Sequence, residues 1–158
     1  MRLLRRVIEN LLEELSIDKN SDLGVYVVST PEMAHLNETF LRHEGSTDVL
    51  AFDYAEATAP AIRSAGREPK AHPKAEDRNC PPALRHGEVF VCLDEAGLQA
   101  GRFRTTWQNE LVRYVVHGFL HLCGYDDHTR LERGKMKRVE NRLLRQIAAR
   151  FRLDQLGS

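Results

Sequence analysis

Leu3, Leu4, Val7, Ile8, Leu11, Leu12 and Leu15 recur at the spacing of one helix face, so the chain opens on an amphipathic helix that packs its leucines inward. Asn20 to Asp22 predict a turn. The period then changes: Gly24 to Ser29, rich in β-branched residues, predicts a strand. Thr30-Pro31 opens a second helix, because proline suits the first turn and Ser29 and Glu32 are spaced as a cap pair. It is predicted to run to about Arg42, where Gly45-Ser46 breaks the pattern, and Thr47 to Asp53 predict a second strand. Residues 54–86 carry Ala, Pro and scattered charge with no steady period, which predicts a long loop, more an insertion than a cover over a cleft. Gly87 to Leu93, mostly apolar, predict a strand covered on both faces, followed by a short helix from Asp94 to about Gly101.

Thr105 with Gln108 three residues later signals the start of a helix that carries Trp107, Leu111, Val115, Phe119 and Leu122 and stops at Gly124. So many apolar side chains around one helix predict that it is central and buried. A last helix is predicted from about Arg130 to Phe151, packing through Met136, Val139, Leu143 and Ile147. The pattern predicts an α+β fold, a small mixed β-sheet packed with helices around the central one.

Composition narrows this little: 42% hydrophobic and 29% charged residues in a chain of 158 suit a single globular domain spanning 1–158. No apolar run reaches a membrane span and the first residues are charged rather than signal-like, so the cytoplasm is the expected compartment. Cys80, Cys92 and Cys123, odd in number and scattered, argue against a disulfide framework, and Cys123 is expected as buried filler. Net charge is zero, yet residues 130–152 hold nine Lys or Arg against Glu132 and Glu140. A basic face of this kind attracts phosphate backbones, although most charge runs are only solvated helix faces.

The chemistry concentrates in HGFLHLCGYDDH, residues 117–128, which holds three of the seven histidines. His117 and His121 are four apart, so on a helix both imidazoles aim at one point. Gly124 lets the chain turn sharply back, returning His128 toward the pair. Three imidazoles around a divalent ion, with a position left open, lower the pKa of bound water to about 7. His117, His121 and His128 are therefore the candidate metal ligands. Zinc (Zn2+) is the first expectation, with Ni2+ or another divalent metal also suited to imidazole. Helical zinc proteases place a general-base Glu after the first His, and here that position is Gly118, which weakens peptide hydrolysis as a reading.

The run HGFLHLCGYDDH resembles that of the YbeY-type endoribonucleases, bacterial ribosomal RNA maturation factors whose motif is close to HGxLHLxGYDH. LNETFLRHEGSTDVLAF at 36–52 is similar to that family's LN, Arg and TDVLSF segment, and GEVFVCLDEA at 87–96 to its GDI strand. The resemblance implies a zincin-like fold, His117, His121 and His128 as ligands, His117 and Arg42 as catalytic residues, and cleavage of single-stranded or ribosomal RNA at the ribosome or its small subunit, with no DNA and no membrane. A guanidinium at Arg42 suits the charge that develops on phosphate oxygens. This chain departs from the pattern in three ways. Asp127 is an extra residue, so Asp126 or Asp127 is an alternative ligand, in place of His128 or beside it, or else supports the histidines from behind. Ala51 stands where the family has serine. The family opens on a strand, whereas this chain enters at the helical Arg2-Leu3-Leu4. Two rival readings are a non-catalytic ribosome-assembly protein, which a fourth ligand such as Asp127 or Cys123 would favour, and a metalloprotease with a base from elsewhere, such as Asp48.

Overall fold

The computed structural model describes residues 2–54, 61–63 and 84–157. Helix α1 (Arg2–Glu14) buries Leu4, Val7 and Leu11, the inner edge of the leucine stripe. Strand β1 (Asp22–Val28) leads into α2 (Thr30–Leu41), whose start is held as its sequence predicts: the Glu32 carboxylate accepts from the Ser29 N–H at 2.8 Å and from its hydroxyl at 2.7 Å. Strands β2 (Val49–Asp53), β3 (Ala61–Arg63) and β4 (His86–Cys92) follow, then helices α3 (Leu93–Phe103), α4 (Trp107–Leu122) and α5 (Arg130–Arg150).

The four described strands form one mixed sheet in the order β1-β4-β2-β3, with β1 and β4 parallel and β2 antiparallel to both β4 and β3. The α+β class is therefore observed. Two boundaries moved. Strand β3 lies within the stretch read as loop, the rest of which, 55–60 and 64–83, lies outside the described residues. The cap of α4 is Thr106, whose hydroxyl accepts from the Asn109 N–H, rather than Thr105.

Strand alternation divides the sheet into two faces. Val89, Val91 and Ala51 point to the main core, where they meet Leu111, Val112, Val115, Val116 and Phe119 of α4 together with α1 and α5. Leu50, Phe52 and Cys92 point the other way and pack under Met33 of α2. Helix α2 covers only part of that second face, since Phe90 is half-buried and Tyr26 exposed, so the strand at 86–92 is not sealed on both sides as its apolar sequence predicts.

Helix α4 is buried on nearly all sides, including Glu110, Gly118 and His121 among its apolar residues. Gly118 faces β4 so closely that a Cβ there would meet Val89 Cγ1 at 2.4 Å. The glycine thus lets the helix lie against the sheet, and a glutamate at this position has no room. Gly118→Ala forces the two layers apart and is expected to destabilise the protein by about 1–3 kcal/mol, read from urea unfolding. An unchanged midpoint would contradict this packing.

Candidate metal centre

The end of α4 is shaped by hydrogen bonds that turn the chain back over its own histidine. The Gly124 N–H donates to His121 O and the Tyr125 N–H to Leu120 O, with Gly124 at φ +87° in the left-handed region. This closure brings the Tyr125 carbonyl to His121 Nδ1 at 3.1 Å. A carbonyl only accepts, so Nδ1 carries the proton and Nε2 is left bare.

His117 is fixed by a different partner with the same result. Its Nδ1 lies 3.1 Å from Glu140 Oε2 on α5, and that carboxylate also accepts at Oε1 from Lys137 Nζ at 2.7 Å and from Arg113 Nη1 at 3.0 Å. With three donors around it, Glu140 is an anion and His117 Nδ1 is a donor. The two Nε2 atoms then face each other at 3.0 Å. Adjacent nitrogen ligands of a tetrahedral zinc with bonds of about 2.1 Å stand about 3.4 Å apart, so the pair is close to the spacing of two ligands of one ion. Ring nitrogens this close share a proton or a metal cation, and two imidazoles with a carboxylate in reach are a donor set that suits a metal.

The third donor in reach is Asp127. Its carboxylate and the two imidazoles offer ligand atoms that all lie within 4.8 Å of one another. His128 is turned elsewhere: it is exposed, its Nε2 lies 3.5 Å from Asp126 Oδ1, and it groups with Asp126 and Asp127 rather than with the helical pair. Asp126 causes this by accepting from the N–H groups of Asp127 and His128, a turn that aims Asp127 inward. Cys123 is buried and disulfide-bonded, against the expectation of three separate thiols, and Cys92 is a free buried cysteine.

A cavity of about 400 Å³ opens beside His117, lined among others by Asp48, Tyr114, Asp127, Arg113, Arg133 and Lys137. Arg42 is not on this wall. It caps the C-terminus of α2 in the left-handed conformation (φ 56°) with its side chain exposed. The cations at the cavity come instead from α4 and α5. Sequence reading passed over Glu140, counting it only as charge on a basic helix. Its signal was its place: Glu140 falls on the buried stripe with Met136, Leu143 and Ile147, where a carboxylate needs partners.

Burial is the largest influence on both titratable anchors. It pushes His121 down to about 4, with the neighbouring His117 adding to the effect and Asp127 opposing it, so His121 is neutral at pH 7. Burial alone would raise Glu140, but hydrogen bonds from His117 and Lys137 and the Lys137 charge outweigh it and hold the carboxyl at about 2. In both cases the unfolded chain takes up protons first as pH falls, so acid favours unfolding. The metal-free protein is expected to lose stability between pH 6.5 and about 4 through His121, and again between pH 4.5 and about 2 through Glu140. Glu140→Gln should remove the lower step and destabilise the protein at pH 7 by about 2–3 kcal/mol, since it weakens a buried ionic network. Urea midpoints measured across pH check both, and a variant that keeps the lower step would contradict the assignment.

Comparison with known proteins agrees with the site. The family model described as Endoribonuclease YbeY matches residues 1–148. The Endoribonuclease YbeY of Salinibacter ruber is 31% identical over 144 residues, covering 91% of this chain and 81% of that protein. That of Chlorobium phaeovibrioides is 34% identical over 117 residues, 74% of this chain and 62% of its own length. The fold is also similar to the solution structure of TM1509 from Thermotoga maritima, with a TM-score of 0.55 and 24% identity over 99% of this chain and 92% of that one. With the family model spanning the helix that carries the histidine pair and a relative of 31% identity matching 91% of the sequence, the chain belongs to the endoribonuclease YbeY family.

Proposed function

We propose that this protein is a metal-dependent endoribonuclease that cuts single-stranded RNA, with ribosomal RNA as its substrate in maturation and quality control of the ribosome. The relatives' activity supports the reaction class. The observation that carries the metal is the pair of Nε2 atoms facing each other at 3.0 Å, each ring held by a partner at its Nδ1. His117 and His121 hold the ion, with Asp127 as the third ligand in this arrangement and His128, one residue on, as the alternative. Zinc suits two imidazoles and a carboxylate, and nickel is the runner-up.

A divalent ion bound there supplies Lewis acidity for water and for a phosphate oxygen. The chain's own residues do the rest. Glu140 and the Tyr125 carbonyl keep both imidazoles in the ligating tautomer. Asp48, on the wall of the same cavity, is a carboxylate outside the ligand group and is the proton acceptor available to an attacking nucleophile. Arg42 meets the RNA strand from the end of α2, outside the cavity. Gly118 argues against proteolysis of the helical zinc type, because the general-base position is filled by packing. Among the described residues, no helix is long and apolar enough to cross a membrane. The ribosome as partner places the protein in the cytoplasm.

Purified protein loaded with zinc is expected to cleave an unstructured RNA and to stop on chelation. His117→Ala and His121→Ala should each lose bound metal and at least about 100-fold in kcat/KM, while Asp127→Asn should weaken metal binding about 10- to 100-fold. Metal content by atomic absorption, read beside RNA cleavage with a catalytically dead preparation as the contamination control, decides it. Full activity in His117→Ala would overturn the reading.

A further inference from the structure

The cations beside the metal centre are held in an unusual way for surface residues. Arg113 is gripped at two points by buried carboxylates, its Nη1 donating to Glu140 at 3.0 Å and its Nε lying 3.3 Å from Glu110 Oε2. The side chains of those two acids are 3% and 6% exposed, so the guanidinium plane cannot swing. Two of its five N–H groups are thereby occupied and three remain. Lys137 donates to the same Glu140 oxygen at 2.7 Å and keeps two donors. Both residues line the cavity at His117. One carboxylate therefore orients a metal ligand through Oε2 and two cations through Oε1.

We propose that Arg113 and Lys137 form a phosphate-binding subsite for the RNA strand beside His117, with Glu140 as the positioning residue that sets its distance from the metal ligands. This rests on the nuclease reading of the site and names the part of the substrate held there. A pre-fixed guanidinium loses little freedom when it takes up a phosphate oxygen, and its planar fork matches the oxygens two at a time. Asp48, Asp127 and Glu140 line the same cavity and repel an anion, so a phosphate is held there only by the donors of Arg113 and Lys137 that the carboxylates leave open. Arg133, whose Nε donates to the Asp127 carbonyl at 3.1 Å, stands on the same wall as a third positive charge. The rest of the basic helix is different in kind: Arg142 is exposed and does not line the cavity. The local charge that counts is thus the anchored pair, not the helix face as a whole.

The test is the salt dependence of RNA binding by the full-length protein in chelator, where nothing is cleaved, using a fluorescein-labelled single-stranded RNA and anisotropy. Lys137→Ala is expected to weaken binding several-fold at about 0.1 M salt and to lower the slope of log K against log salt by about 0.7, one phosphate contact on a single strand. Lys137→Arg should restore the slope. Arg113→Ala strands two buried carboxylates, so the arginine is tested as Arg113→Lys, which keeps the charge and the slope but loses the fork, weakening binding several-fold. Arg142→Ala should leave the slope in place. An unchanged slope in Lys137→Ala, or an equal drop in Arg142→Ala, would overturn the subsite. Cleavage by the zinc-loaded wild type is scored separately, so a protein that binds through this pair without cutting would refute the nuclease reading and keep the subsite.

Discussion

The whole site depends on where two protons sit. Glu140 accepts from His117 Nδ1 and the Tyr125 carbonyl accepts from His121 Nδ1, so each imidazole turns its Nε2 toward the other. Neither partner is replaceable by solvent, because Glu140 and His121 are both buried. Low dielectric makes each of these bonds stronger and makes their loss more damaging. Two ring nitrogens thus meet at the end of a buried helix in a geometry that a shared cation would satisfy.

That arrangement needs a rigid support, and the fold supplies it through close packing. Gly118 seats α4 directly on β4, and the Schellman closure at Gly124 fixes the carbonyl that holds His121. Helix α5 then crosses α4 so that one acid on its buried stripe reaches back to His117. The histidine pair, its orientation and the cations of the cavity are therefore products of one helix pair and the turn between them. A change in the α4 to α5 packing moves all three together.

Most of the fold was legible because it follows from periodicity. The leucine stripe of α1 and the apolar wrap of α4 state their burial in the order of residues, and the capping pair of Ser29 and Glu32 states where α2 begins. Strand β3 was hidden because three residues of edge pairing leave no pattern. The histidine pair was legible for the same reason as the helices, since spacing by four is a local property. The third donor beside the pair was not: whether Asp127 or His128 turns inward depends on the hydrogen bonds of Asp126 within a tight turn, which spacing alone leaves open. Arg113, Lys137 and Glu140 were unreadable as a group, because their meeting depends on how two helices cross.

The most direct measurement of the central claim is the tautomeric state of His117 and His121 in the metal-free protein at pH 7, from long-range proton–nitrogen correlation spectra of the imidazole rings. The account predicts that both rings are protonated at Nδ1 and bare at Nε2, with zinc then shifting the Nε2 resonances of both. A ring protonated at Nε2 in either residue, unmoved by zinc, would contradict it.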